Sequence, residues 1–262
     1  MRKRYFAPLI ILGLLMRFFY GHLLLAQADQ EFQQKIEEAK SKLEMGVNTW
    51  NPELLKSARD LFLSLYLKTE GQNIFLSYYI ALADYRLATY YFSKNIPEEV
   101  DRYNSEGKKY LEKAMEQDPS FGEDFALYAT LLGYEIGLHP DRAMTLGPKS
   151  FEYFAKAFEK EPNNPRIHLL QGISDLYTPE VYGGGVAKAM ETLSKSVSLF
   201  EKENIKDPLK PSWGREEAYT FLGLAYEKKN DFEKARELLK KALEINPDYA
   251  MAKRELSKIE KN

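Results

Sequence analysis

From residue 30 onward, apolar residues recur three and four positions apart, the spacing that gathers them on one stripe of an α-helix. No alternating apolar and polar run between these segments is long enough for a strand, so the pattern predicts an all-α protein. The helical runs are punctuated. A weak first pair spans 30–46 and 53–69, the second helix opened by Asn51 as cap and Pro52 at the first helical position. Three hexapeptides then close later helices in one way: Ala114-Met115-Glu116-Gln117-Asp118-Pro119, Ala157-Phe158-Glu159-Lys160-Glu161-Pro162 and Ala242-Leu243-Glu244-Ile245-Asn246-Pro247. In each, the alanine lets two helices approach closely, and the proline lacks an amide donor and pushes the residue before it out of helical geometry. Fresh helix starts should follow: a capping box from Ser120 with Glu123, Asn163 with Pro165 in the first turn, and Asp248. The alanines lie 43 and then 85 residues apart, one and nearly two steps of a stacked helical repeat.

The last repeat is the most complete. Tyr219, Leu222, Gly223 and Tyr226 fall on its first helix, and Ala235, Leu239, Ala242 and Pro247 on its second. In these eight positions residues 216–249 resemble a full 34-residue tetratricopeptide repeat (TPR). The resemblance places Gly223 and Ala235 where the two helices touch, Lys229-Asn230-Asp231 in the tight turn between them, and a capping helix over 248–261. Earlier units are degenerate. Tyr78, Ala81, Leu82 and Tyr85 with Gly107, Leu111, Ala114 and Pro119 form one; another has Leu132 and Gly133, an extended turn from His139 to Pro148, then Phe154, Ala157 and Pro162. A further unit runs from Arg166 through Gly172, takes an insertion from Thr178 to Gly185, and resumes at Ala189 and Leu193. The resemblance implies a right-handed α–α superhelix, a TPR-like solenoid of about five helix pairs plus a C-terminal capping helix, occupying residues 29–262.

The first 28 residues differ. Arg2, Lys3 and Arg4 precede an apolar run from Tyr5 to Met16, and Ala26-Gln27-Ala28 has the small residues of a cleavage site, which is the order of a secretory signal peptide. Arg17 within the stretch argues against a retained membrane anchor. Export to a periplasm or the medium is therefore expected, without stable membrane insertion after cleavage. Losing residues 1–28 removes four basic residues (Arg2, Lys3, Arg4, Arg17) and no acidic one, taking the formal charge from −2 to −6. That balance disfavours nucleic acid as a partner. The chain has no cysteine, which excludes disulfides, thiolate metal sites and a lipidated cysteine tether.

Catalytic chemistry finds little footing. Gly183-Gly184-Gly185 with Lys188 invites a phosphate-loop reading, but Ala189 follows the lysine where Ser or Thr is needed, and a helix precedes where a strand belongs. His139 and His168 lack neighbours at metal-ligand spacing, and His168 with Asp175, seven apart, has no nucleophile assigned to it. We expect no metal, no cofactor and no enzymatic activity. The aromatic excess, 18 tyrosines and 15 phenylalanines, speaks for packing and recognition. In tetratricopeptide proteins the first helix of each pair lines a concave groove, which implies Tyr79, Tyr134, Tyr177 and Phe221 on that lining, with Arg86 as its cation. Tyr182 marks the Thr178–Gly185 insertion, a second suspect because insertions on solenoids gather on binding faces. The lysine, arginine and asparagine clamp of chaperone-binding members is absent, since the matching positions hold Glu217, Thr220, Phe221 and Leu224. The chain thus reads as an exported scaffold for a protein or peptide partner, with homo-oligomers compatible. An alternative is an accessory ligand-handling subunit of an uptake system, similar in fold to the T component of TRAP transporters.

Overall fold

A computed structural model describes residues 30–261, and all regular elements among them are helical. The expected signal peptide, residues 1–28, lies outside the described residues. Eleven α-helices follow in order: α1 (30–48), α2 (Pro52–Lys68), α3 (Ile74–Ser93), α4 (Pro97–Gln117), α5 (Gly122–Leu138), α6 (Ala143–Lys160), α7 (Pro165–Tyr177), α8 (Val186–Phe200), α9 (Arg215–Lys228), α10 (Phe232–Ile245) and α11 (Ala250–Ile259). They form the five helix pairs and the cap that the repeat pattern predicts, with each helix from α2 onward packed on the next and Gly46 of α1 set close against Leu55 of α2. The TPR-like superhelical fold follows from that stacking, because each pair leaves an apolar face that only its neighbours can cover.

Small residues sit where the pairs close. A side-chain carbon added at Gly223 would lie 3.2 Å from Leu239 Cγ and 3.3 Å from the Ala235 carbonyl oxygen, and one at Gly172 would lie 2.6 Å from Leu193 Cγ. Asn230 takes the left-handed conformation in the turn between α9 and α10, and the Asp231 side chain caps α10 by accepting from Lys234 N. Leucine at Gly223 or at the fully buried Ala242 should therefore cost about 1–3 kcal/mol by overpacking. A urea midpoint unchanged by either substitution would show that the repeat register is misplaced.

Several local expectations change: Asn164, not Asn163, caps α7, and α11 opens at Ala250 after Tyr249 with no side-chain cap from Asp248. The Ser120–Glu123 capping box does not form: Ser120 turns to Asp118, and Phe121 occupies the cap position of α5 without a side-chain hydrogen bond. Glu123 is instead drawn inward by Tyr78, Asn164 and Arg166, and the Gly122 amide is capped through space by Glu161 Oε2 at 2.8 Å. A buried guanidinium binds that carboxylate more strongly than a neutral amide can. The extended His139–Pro148 turn is also shorter, because a 3-10 turn at Pro140–Arg142 leads straight into α6 and Pro148 lies inside that helix. As the sixth residue of α6, Pro148 removes one backbone hydrogen bond, and just beyond it α5 holds α6 through Ser150 Oγ, which donates to the Ala129 carbonyl at 3.0 Å.

The first helices of the pairs, α3, α5, α7 and α9, touch one another in sequence along one face. That face curls tightly. Arg86 on α3 reaches Glu217 on α9, three pairs further on, and Asn246 Nδ2 after α10 donates to Asn48 Oδ1 at the end of α1, 2.9 Å away.

Beneath it sits a buried acid with no partner. Both carboxylate oxygens of Asp124 on α5 lack a hydrogen bond among the described residues. Burial first, then the neighbouring Glu123, Asp118 and Glu161, push this carboxyl well above the usual range. The folded chain therefore keeps a proton that the unfolded chain sheds near pH 4, so this group lowers stability progressively as pH rises above that value. Asp124→Asn should remove that contribution. Thermal melts from pH 4 to 8 should then fall less steeply with pH in the variant than in the parent.

Candidate binding site on the concave face

The inner face is built from α3, α5, α7 and α9, with α1 and the segment 201–214 laid against it. At its centre the Arg86 guanidinium forms a two-bond fork with Glu217, at 2.8 and 2.5 Å, while stacking 4.7 Å from the Trp213 ring and 5.0 Å from the Tyr85 ring. Burial opposes the Arg86 charge, but Glu217 more than offsets it and holds the group ionised. Next to this pair a cavity of about 130 Å³ opens among Leu43, Asn48, Tyr79, Leu82, Arg86 and Trp213. The Tyr79 ring stacks on Phe62 at 4.8 Å, and its buried hydroxyl has no hydrogen-bond partner among the described residues. Lys40 on the rim lies 5.5 Å from the Tyr79 ring, its pKa lowered by burial and by nearby Arg166. Glu216, also on the rim, is shifted upward by burial and by Glu217.

A second buried network flanks the first. Tyr78 donates to Glu123 at 2.6 Å and accepts from Trp213 Nε1 at 2.9 Å. Arg166 on α7 holds Glu123 at 2.8 Å, Glu203 by two nitrogens and the Trp213 carbonyl at 3.1 Å. One guanidinium thus joins α5, α7 and both ends of the 201–214 segment.

The residues expected on the groove divide. Tyr79 and Arg86 come together on the central cavity. Tyr134 is half-buried, packed edge-on against Tyr85 and Phe92, with its hydroxyl 2.9 Å from Thr89 Oγ1. Phe221 is half-buried against the C-terminal core cluster. Tyr177 is exposed, with Lys228 over its ring at 5.9 Å, and Tyr182 is exposed on the insertion. Gly183 and Gly185 there adopt left-handed backbone, and Lys188 binds the Gly183 carbonyl at 2.8 Å, so the glycine loop is closed by its own chain. His168 and Asp175 do not meet: the histidine bonds the Pro162 carbonyl, and the aspartate is buried among Gln171, Thr192 and Lys188.

Sequence reasoning missed Trp213, Lys40 and the 201–214 segment. A signal was present: one of only two tryptophans closes a long, non-periodic stretch carrying Pro208 and Pro211.

With this geometry in place, comparison with known proteins is decisive for the last helix pair. The tetratricopeptide repeat model matches residues 216–249. This segment is a tetratricopeptide repeat. The fold around it is shared with TTC0263, a thermophilic TPR protein of Thermus thermophilus, with a TM-score of 0.57, 15% identity, and coverage of 84% of this chain and 98% of that one. A haemophore, HusA of Porphyromonas gingivalis, is similar at TM-score 0.63 and 28% identity, over 76% of this chain and 93% of that one. The yeast (Saccharomyces cerevisiae) anaphase-promoting complex subunit CDC16 is 30% identical over 182 residues, 70% of this chain but 18% of the subunit, so the chain spans under a fifth of that relative. The chain thus has a TPR-like all-helical fold, with residues 216–249 matching the repeat itself. Among the described residues there is no group of three or more metal-ligating side chains, and no helix is long and apolar enough to cross a membrane.

Proposed function

We propose that this protein is an exported, non-catalytic binding scaffold that holds an extended polypeptide segment of its partner on the concave face of its TPR solenoid. The observation that carries the reading is the inner face around the central cavity, where the Tyr79 ring with its unpartnered hydroxyl, Leu82 and the Arg86–Glu217 pair combine apolar contact with directional polar groups. Such surfaces suit recognition, because a tyrosine or tryptophan supplies broad apolar contact with one polar tip at small entropic cost. The basic, then apolar, then small-residue order of residues 1–28 supports export. The test is crosslinking-coupled capture from the native cell envelope with the parent and with Tyr79→Ala. A polypeptide recovered with the parent and depleted at least fivefold by the substitution supports the reading, and equal recovery overturns it.

The similarity to the haemophore favours a second reading, in which the cargo is haem. A tyrosine-rich chain can offer phenolate to ferric iron and aromatic faces to the porphyrin. Titration with hemin decides it: a saturable Soret shift at one equivalent supports haem, and a spectrum matching free hemin removes it. Neither the cavity nor the similarities favour a T component of a TRAP transporter.

A further inference from the structure

The links between helix pairs are of nearly constant length, with one exception. Four residues join α4 to α5 (118–121), α6 to α7 (161–164) and α10 to α11 (246–249), and five join α2 to α3 (69–73). Fourteen residues, 201–214, join α8 to α9, although α8 and α9 pack together like the others. Linking the two helices thus leaves about ten residues spare, and unstructured loops of that length inside a compact fold are uncommon unless they do something.

The spare chain does not hang in solvent. It runs without regular structure over the inner face and is gripped at three points. Glu203 meets the Arg166 fork, Leu209 packs partly buried on the core and lines one pocket with Ile74 and Phe75 at the start of α3, and the Trp213 indole donates to Tyr78 under the Arg86 guanidinium. Between the grips Lys40 on α1 donates to the Pro208 and Lys210 carbonyls at 2.9 and 3.0 Å, binding backbone without regard to side chain. Side-chain pockets at intervals with main-chain bonds between them are how a groove recognises an extended peptide.

We infer that residues 201–214 occupy the groove as an intramolecular ligand, and that the partner is an extended segment that displaces them by offering a carboxylate, an aliphatic side chain and an indole at the spacing of Glu203, Leu209 and Trp213. This rests on the peptide-binding reading above and deepens it. Tethering gives the resident segment a high effective concentration, so a partner of equal intrinsic affinity competes poorly until the segment is released.

The test uses a fluorescent synthetic peptide of sequence 201–214 and two full-length proteins, the parent and a variant with residues 203–213 replaced by glycine and serine at equal length. The variant should bind the peptide saturably, the parent at least tenfold more weakly, and a peptide carrying Glu203→Gln and Trp213→Ala at least tenfold more weakly than the unaltered peptide. A variant with parental helical content and a cooperative melt that fails to bind, or a parent that binds equally well, overturns the inference. Should the replaced variant not fold, Trp213→Ala in the full chain takes its place. Amide exchange across 203–212 should then accelerate while α3 to α8 stay protected, and peptide should bind at least fivefold more tightly than to the parent; unchanged binding overturns the inference. If envelope capture by the parent succeeds while the linker peptide fails, the inference falls and the scaffold reading stands.

Discussion

Arg86→Met lowers stability by about 3–5 kcal/mol, while the double substitution Arg86→Met with Glu217→Met recovers most of the loss. Both charges are nearly sealed from water, with 8% and 2% of their surface exposed. Removing only the guanidinium leaves the Glu217 carboxylate desolvated with its two closest hydrogen bonds gone. Removing both charges eliminates that penalty, since a buried pair and an apolar pair of similar size are often nearly equivalent in net energy. Denaturant unfolding of the two single variants and the double variant gives the coupling directly. Additive losses would mean that the pair is solvated, and that α3 and α9 are not joined as described.

The second large effect is at Arg166. Arg166→Met should also cost about 3–5 kcal/mol, because Glu123 is 2% exposed and would lose its only cation among the described residues. Glu203→Gln should cost at most about 1 kcal/mol, because Glu203 is half-buried and water can reach what the substitution leaves unpaired. The two substitutions share a consequence despite that difference in size. Each weakens the hold on segment 201–214, so limited proteolysis should cut there sooner than in the parent, with Arg166→Met the faster because it also releases the Trp213 carbonyl. Equal proteolytic rates across all three proteins would show that Arg166 does not anchor the segment.

The reading of α9 and α10 from sequence succeeded because its marks are local. Gly223, Ala235, Asn230 and Pro247 each answer a short-range steric or backbone demand, and their spacing repeats whatever lies elsewhere in the chain. The Ser120–Glu123 box is the instructive contrast. The local motif was present, but Arg166, forty-three residues away, bound the same carboxylate and Glu161 supplied the cap from the link between α6 and α7. Pro148 likewise marks a helix boundary by rule, and here the packing of α6 on α5 carries the helix through it.

The amino-acid order alone determined the all-helical class, the pairing of helices, their number and the position of the clearest repeat, because small residues and helix stops act within one or two turns of where they stand. It also indicated Tyr79 and Arg86 as inner-face residues, since first-helix register follows from the repeat. Only the tertiary structure decided how tightly the stack curls, that Arg86 meets Glu217 across it, and that the stretch around Trp213 fills the groove. Those contacts join residues 131 and 135 positions apart. Their partners are chosen by the accumulated curvature of several helix pairs, a quantity that no single segment carries.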